Sequence, residues 1–333
     1  MTANSEVPVA TKNSVGTMVS YGFGKFAAEF FTLAFTAYCF FFYEVELGLS
    51  TGLAAAGYIL YAIWNSINDP IVGYLSNKST RFVKKWGRRF PWIVMSSIPW
   101  VFIYILIFTP PNVDPETQGW VLFLWLTVWS CLFDTFYSVW DVNYQAIFPD
   151  KFRGDQERRK AAGIGTIVGV FGIALGALLP PMIIEDRNIQ SYANQGVILA
   201  FIGLGAVIAM LPGVRETPEM RARDLKMYEA QQLQNQASFL EQLKNVLKSK
   251  NMLAFLLLYF LYQSLTQSMT GSIPYFVRYN LKMETGVVTT VMAGFLVGAL
   301  VSIPLWMKVA HKVNNNQKMM LIGSVLLVIC TAP

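Results

Sequence analysis

Cysteine, histidine and charged residues are scarce in this chain, and each scarcity argues against a class of function. The 333 residues include three cysteines and one histidine. Cys39, Cys131 and Cys330 lie far apart in apolar stretches, so we interpret them as small apolar residues without metal-ligand spacing. His311 follows an apolar run in a basic loop. One histidine without a cysteine cluster argues against a zinc enzyme.

The small share of charge indicates a protein of the lipid bilayer. Charged residues make up 14% and hydrophobic residues 54% of the chain, whereas a soluble domain carries about 25% charge. The net charge of +6 comes from short loops between apolar runs, so it indicates orientation in a membrane and not nucleic-acid binding. The first apolar run follows 20 mostly polar residues and is too long for a signal peptide, so no cleavable signal is expected.

Apolar runs long enough to cross a bilayer, about 20 residues, recur along the whole chain. They cover about 21–46, 52–76, 91–110, 119–148, 161–184, 195–214, 251–277, 286–307 and a ninth run from Met319. They predict an all-α polytopic membrane protein. Because the chain stops inside the ninth run at Pro333, the second half is expected to be incomplete.

Basic loops alternate strictly with loops that carry few basic residues. Lys and Arg number six in 77–90, five in 149–160, seven in 215–250 and three in 308–318. By the positive-inside rule, the N-terminus is predicted to be cytoplasmic in a multi-pass protein of the cell membrane.

The same pattern divides the chain into two transmembrane parts and a polar connector. The predicted domains are a six-helix bundle over 1–214, a cytoplasmic connector over 215–250 and an incomplete bundle over 251–333. Within the connector, Ser238 and Glu241 form a capping box ahead of an apolar stripe, which predicts an amphipathic helix. That helix is expected to lie under the bundle or on the inner leaflet, and the alternative is that it binds a partner.

Four acids lie deep in the predicted spans: Glu29, Asp69, Asp134 and Asp141. Each costs about 3 kcal/mol at mid-bilayer. A shared aqueous cavity or a charge partner is the usual offset, so all four are predicted to face the bundle interior.

The first two spans each place polar residues on one helical face. Lys25 and Glu29 stand four residues apart, where they could pair or line a cavity. Asn65, Asn68 and Asp69 also share a face, and oxygen ligands at this spacing suit one small cation. The alternative for the second group is a polar patch that joins helices.

The fourth and seventh spans carry longer polar stripes. On the fourth, the spacing favours a polyhydroxyl ligand over aromatic core packing, because carboxylates accept hydroxyl groups and tyrosine rings stack. Its members are Asp134, Tyr137, Ser138, Asp141, Tyr144 and Gln145. On the seventh, Gln263, Thr266, Gln267 and Thr270 precede Gly271 and Pro274, which predict a broken helix of the kind that borders transporter sites.

Several segments resemble a known transporter family. They are YGFGKFAAEF near the start, INDPIVG, GYLSNK followed by WGRR, and Asp141 to Pro149 followed by Asp155 and Arg158. They are similar to the glycoside–pentoside–hexuronide:cation symporters of the major facilitator superfamily. The likeness is specific in the first 160 residues and looser afterwards. It implies two six-helix bundles, of which this chain would hold the first and part of the second.

The resemblance implies roles for individual positions. Glu29, Tyr137, Asp141 and Gln145 stand at sugar-site positions, and Asn65, Asn68, Asp69 and Ser138 at cation-site positions. The loop after the second span matches the superfamily signature at Gly73, Asn77, Gly87, Arg88 and Arg89. Three positions depart from the pattern: Asn65 replaces an aspartate, Gln145 a tryptophan and Thr166 an arginine.

Together these features predict a secondary transporter that couples a cation gradient to movement of a sugar or sugar derivative. The coupling ion is H⁺ or Na⁺, with Asp134 a further candidate carrier, and no other cofactor or metal is expected. The expected partners are a small molecule, the ion and the bilayer, and the protein is expected to be a monomer. The alternatives are transport of a lipid-like or other amphipathic substrate and, more distantly, a prenyltransferase-type enzyme. Asn65 and Asp69 have the spacing of that enzyme's magnesium site but supply only one acid.

Overall fold

The computed structural model describes residues 13–78, 85–232, 247–284, 286–313 and 321–326, with the single positions 244 and 318. Within those ranges the chain is helical and contains no strand. The predicted connector helix falls mostly outside the described residues, as do parts of the ninth apolar run.

Nine α-helices and two short π-helical segments make up the described fold. The helices are α1 Val15–Phe41, α2 Thr51–Lys78, α3 Phe90–Ile107, α4 Pro115–Lys151, α5 Asp155–Ile183, α6 Ile189–Val214, α7 Pro218–Gln232, α8 Lys250–Tyr275 and α9 Val287–Val313. The π-helical segments are π1 Phe42–Glu46, which continues α1, and π2 Phe276–Asn280, which continues α8.

Among the described residues, six helical stretches are long and apolar enough to cross a membrane by length and composition. They are Val15–Glu46, Phe90–Ile107, Pro115–Lys151, Gln156–Ile183, Ile189–Val214 and Lys250–Asn280. Helix α2 has the length but falls short in apolarity, because Asn65, Asn68 and Asp69 interrupt its apolar run. It nevertheless packs along α4, as the second member of a helical bundle should.

Helix α1 lies at the centre of this bundle. It packs against α5, α6 and α8, while α3 packs against α4 and α6. Phe30, Phe31 and Tyr38 on α1 are fully buried. They join a core of stacked and edge-on aromatic rings that includes Trp100 and Tyr104 of α3.

Glycines allow α1 and α5 to pack closely. A Cβ atom at Gly172 would meet the carbonyl oxygen of Phe26, and one at Gly176 would meet that of Phe30. Small residues spaced by four positions let the backbones of membrane helices approach each other. The close approach brings the polar face of α1 against α5.

The start of the second half repeats the start of the first. FFYEVELGLSTG at 41–52 matches YFVRYNLKMETG at 275–286 in length and in several letters. Both segments leave an α-helix through a five-residue π-helical turn. Both then place one residue at positive φ, Gly48 at 72° and Lys282 at 54°.

The two repeats contact each other at their first residues. Phe41 and Tyr275 are equivalent, and their ring centroids lie 5.1 Å apart. Around this pair, the Tyr275 hydroxyl donates to Glu44. Arg278, which is the equivalent of Glu44 in the second repeat, lies 5.6 Å from the centre of the Phe41 ring. The halves are therefore joined at the ends of α1 and α8.

The predicted break at Gly271 and Pro274 is wrong. Helix α8 runs through both positions to Tyr275, and only then changes to π2. Pro274 lies in the last turn of α8, and the helical backbone continues past it into π2.

Candidate functional site

A cavity of about 740 Å³ lies between the two halves. One wall comes from α1, α4 and α5, and the opposite wall comes from α8 and α9. All the residues predicted to bind substrate line it: Glu29, Tyr137, Asp141, Tyr144, Gln145, Gln263 and Gln267. The polar faces predicted on α1, α4 and α8 therefore meet around one cavity.

The polar groups of the cavity include two carboxylates and three glutamine amides, alongside tyrosine and threonine hydroxyls and one lysine. Glu29 of α1 and Asp141 of α4 supply carboxylates, and the Gln145 side chain donates to the Asp141 carboxylate at 3.3 Å. Across the cavity, Gln263 and Gln267 supply amides. Such a set can bind a ligand with several hydroxyl groups.

Lys25 also lines the cavity but does not form a salt bridge with Glu29 in the described part of the chain. Its aliphatic stem lies instead against α5 at Gly169, where a Cβ atom would stand 3.0 Å from Cγ of Lys25. The i, i+4 spacing permitted an ion pair, and the space left by this glycine explains why the side chain lies along α5.

Tyr144 borders the cavity, yet its hydroxyl is bonded to protein. That hydroxyl donates to the backbone carbonyl of Tyr21 at 2.7 Å and accepts the backbone N–H of Lys25 at 3.1 Å. The ring is 3% exposed. The structure therefore places Tyr144 at the site mainly as a contact between α4 and α1.

Asp134 is enclosed by the two asparagines that were predicted to bind a cation together with Asp69. Its Oδ1 accepts the Asn65 amide at 2.5 Å, and its Oδ2 accepts the Asn68 amide at 3.1 Å. Asp134 is 2% exposed. Both carboxylate oxygens are thus satisfied by protein donors.

Asp69 has a different environment one turn further along α2. Its Oδ1 accepts the Ser138 hydroxyl at 2.5 Å, whereas Oδ2 accepts no hydrogen bond from the residues that the structure describes. Asp69 is exposed, and Ser138 is buried. The predicted cation residues therefore form two groups, one closed around Asp134 and one open at Asp69.

No cluster of three or more His, Cys, Asp or Glu side chains suited to a metal occurs among the described residues. The polar face of α2 and α4 thus offers one open carboxylate with neutral oxygens nearby.

The signature loop is fixed by an acid that the sequence reading missed. Glu216, just after α6, accepts the backbone N–H groups of Arg88, Arg89 and Phe90 at 3.0, 2.7 and 3.1 Å. Gly87 has φ of 101°, and a side chain there would collide with the Glu216 carboxylate. The loop glycine and the first turn of α3 are thus shaped around this carboxylate.

Two other signature residues are less informative. Gly73 lies on α2, where a Cβ atom would stand 3.9 Å from Val142 of α4. The side chain of Asn77 lies outside the described residues.

Helix α7 continues from Glu216 and lies against the same loop. Arg221 donates to the Lys85 carbonyl at 2.8 Å, and Arg223 lies 3.6 Å from Asp150. Burial lowers the pKa of Arg89, and the neighbouring Arg88 charge adds to this. Burial also raises the pKa of Asp224, with the Glu216 charge as the second cause. The first part of the connector therefore contacts the loop after α2 and the end of α4.

We expect Glu216→Ala to destabilise the protein by at least about 3 kcal/mol, because three backbone donors lose a charged acceptor worth about 1.5–3 kcal/mol each. Thermal unfolding of the purified protein measures the loss. Glu219→Ala, at an exposed acid in the first turn of α7, is the matched control and should change little. Equal effects of the two substitutions would contradict the role of Glu216.

The opposite end of the bundle is closed by a second charged group that the sequence reading missed. Glu46 of π1 forms an ion pair with Arg278 of π2, and Asp186 of the α5–α6 loop lies 4.0 Å from the same guanidinium. Glu44 accepts the Tyr275 hydroxyl at 2.5 Å. We call Glu44, Glu46, Tyr275 and Arg278 the far-side latch, because they join the halves where α1 and α8 end.

Comparisons with known proteins place these features in a family. The family model described as MFS/sugar transport protein matches residues 20–333. The human sodium-dependent lysophosphatidylcholine symporter 1 is 29% identical over 237 residues, 61% of this chain and 39% of that protein. The sodium-dependent lysophosphatidylcholine symporter 1-A of Danio rerio is 32% identical over 127 residues, which is 38% of this chain and 22% of that protein.

A further relative is described only as a symporter. An uncharacterised symporter of Synechocystis is 26% identical over 204 residues, which is 60% of this chain and 37% of that protein. In each of these three comparisons the chain spans less than two fifths of the length of the relative.

Proposed function

Because the chain belongs to the MFS/sugar transport protein family, whose members are transporters and not enzymes, we propose that it is part of a cation-coupled symporter. We infer that its substrate is a sugar or sugar derivative bound in the cavity between the halves. Movement would follow alternating access, in which the two bundles rock around a fixed central site.

The position and polarity of the cavity carry the substrate assignment. Its volume of about 740 Å³ falls within the range of about 300–1,000 Å³ for small-molecule sites. Two carboxylates and two glutamine amides face one another across it. Glu29 and Asp141 would accept substrate hydroxyls, and Gln263 and Gln267 would hydrogen-bond the other side.

Coupling is assigned to Asp69, with Ser138 as its neutral partner. An intramembrane acid with a free oxygen can take up a proton or a monovalent cation. Asp134 would hold Asn65 and Asn68 in place, which keeps the polar face of α2 against α4. The N-terminus and the Glu216 loop would lie in the cytoplasm, as the alternation of basic loops predicts.

A lysophospholipid is the second candidate substrate, because several relatives are sodium-dependent lysophosphatidylcholine symporters. The cavity also has apolar lining that could take an acyl chain, from Leu33, Phe148, Ile173 and Phe295.

Uptake into proteoliposomes tests the proposal. Labelled mono- and disaccharides should accumulate under an imposed Na⁺ or proton gradient, but not without one. Asp141→Asn should weaken substrate affinity about ten- to hundredfold, since a hydrogen bond to a charged group is worth about 1.5–3 kcal/mol. Glu116→Gln, at an exposed acid near the start of α4, is the control and should leave uptake unchanged.

The outcomes separate the two candidates. Accumulation of short-chain lysophosphatidylcholine without any sugar uptake would support the second substrate and reject the first. Absence of gradient-driven uptake for both classes would reject the proposed function of this chain.

A further inference from the structure

Tyr144 is bonded to the backbone of α1 at a position where a helix normally bonds to itself. Tyr21 and Lys25 stand four residues apart, and an α-helix joins such a pair directly from N–H to carbonyl. Here the Tyr144 hydroxyl lies between them, donating to the Tyr21 carbonyl at 2.7 Å and accepting the Lys25 N–H at 3.1 Å. A side chain from α4 therefore bonds to both backbone groups of one i, i+4 pair of α1.

The local packing holds the Tyr144 ring in that position. Gly24 faces the ring, and a Cβ atom there would collide with it. The ring also stacks between Trp140 and Tyr21, with centroid distances of 4.7 and 4.4 Å and interplanar angles of 14° and 11°. Since Trp140 stacks on Trp100 of α3, the column of rings extends over three helices.

The bridged pair lies beside the proposed binding residues. Lys25 lines the cavity, and Glu29 follows it by about one turn on α1. A hydroxyl that bonds to these two backbone groups fixes this turn of α1 against α4. The position of the Glu29 carboxylate relative to Asp141 therefore depends on how the Tyr144 hydroxyl holds α1.

We propose that Tyr144 is a positioning residue, which bridges the α1 backbone and thereby sets the location of Lys25 and Glu29 in the cavity. This inference rests on the proposed function where it concerns transport, but the bridge itself is tested without substrate. Tyr144 contributes through α1 and not as a direct ligand.

Tyr21 supplies a matched comparison. Its hydroxyl donates to the Tyr144 carbonyl on α4 at 2.9 Å, so each tyrosine bonds to the backbone of the other helix. Tyr21→Phe and Tyr144→Phe each remove one buried hydroxyl from the same ring stack. Only Tyr144→Phe removes the bridge within α1.

Hydrogen–deuterium exchange of the purified full chain is the first measurement. In Tyr144→Phe the ring stack remains while the bonds to the Tyr21 carbonyl and the Lys25 N–H are gone, so the 21–28 amides should exchange faster than in the parent protein. Tyr21→Phe should leave exchange in this segment close to that of the parent. Equal exchange in the two variants, or slower exchange in Tyr144→Phe, would overturn the proposal.

Transport kinetics are the second measurement. Tyr144→Phe should raise KM about five- to tenfold with a smaller change in maximal rate, since one hydrogen bond of about 1 kcal/mol fixes α1. Tyr21→Phe should lower the melting temperature to a similar extent but change KM less. Matching KM changes would show that general loss of packing is responsible and would reject the positioning role.

The two measurements separate this proposal from the assigned function. If the exchange difference is present but the parent protein transports no substrate, the bridge stands and the transport assignment fails. If the parent transports and the two variants behave alike in both measurements, the assignment stands and the role of Tyr144 fails.

Discussion

Asp69→Asn should abolish accumulation of substrate against its gradient while substrate still binds. Asp69 is exposed, and the Ser138 hydroxyl engages only one of its carboxylate oxygens. An asparagine keeps the size and the hydrogen bond but removes the charge that a cation or proton requires. Without coupling, transport should only equalise the concentrations on the two sides of the membrane.

Substrate binding with and without Na⁺, at several pH values, gives the size of this effect. Coupling free energies of about 1–3 kcal/mol correspond to a five- to 150-fold dependence of substrate affinity on the ion. That dependence should disappear in Asp69→Asn. Continued accumulation by Asp69→Asn would show that another group carries the ion.

Asp134→Asn is the matched comparison on the same polar face. The Asp134 carboxylate accepts both Asn65 and Asn68, so an amide there would place one N–H₂ group against another donor. A buried polar group left without a partner costs about 1–3 kcal/mol. We therefore expect Asp134→Asn to lower thermal stability more than Asp69→Asn does. A loss of coupling confined to Asp134→Asn would transfer the carrier role to Asp134.

Glu46→Gln should open the cavity at the end of the bundle opposite the Glu216 loop. The Glu46 side chain is 2% exposed, and the Arg278 side chain is 25% exposed. Breaking one partner of a buried charge pair costs about 2–5 kcal/mol, which shifts an equilibrium at least about thirtyfold. The state in which the latch is closed should therefore lose population to a state that is open on that side.

Cysteine labelling measures this shift. Thr270 lines the cavity, so Thr270→Cys in a background with Cys39, Cys131 and Cys330 changed to serine reports access from the far side. A membrane-impermeant thiol reagent should label it faster when Glu46→Gln is added.

Glu185→Gln is the control for the latch. Glu185 lies on the same side and accepts the Asn188 amide within its own loop at 2.7 Å. It should leave the labelling rate unchanged. Similar rates in the two variants would mean that the Glu46–Arg278 pair does not control access.

The sequence predicted the helices well because each one is encoded locally. The runs from 21–46 to 286–307 all coincide with helices of the structure, and the family predicted from the motifs is confirmed. Helix ends were less accurate. Helix α4 runs from Pro115 to Lys151, beyond the predicted 119–148, because Asp114 caps its start and polar residues continue it beyond the apolar run.

The contacts that define the site were harder to predict, because they join residues that are distant in sequence. Helical spacing placed Asn65 and Asp69 together, but only the packing of α2 on α4 pairs them with Asp134 and Ser138. The bond from Glu216 to the signature loop has no periodic signal.

The sequence placed the predicted substrate residues on common faces of single helices, but it did not show how those faces meet. Residues on α1, α4 and α8 were chosen as separate stripes, and their meeting around one cavity follows from the tertiary structure. The hydroxyl of Tyr144 bonds to the backbone of α1, a role that its place in the α4 stripe did not suggest.

The repeated turns after α1 and α8 have a consequence for how the halves recognise each other. At equivalent positions one repeat carries Glu44 and the other Arg278, and each reaches the aromatic residue that begins the opposite repeat. In a dimer of two first halves, the Glu44 carboxylate of each copy would lie over the Phe41 ring of the other. The face of an aromatic ring is negative and repels a carboxylate. The opposite charges of Glu44 and Arg278 therefore favour contact between a first half and a second half over contact between two first halves.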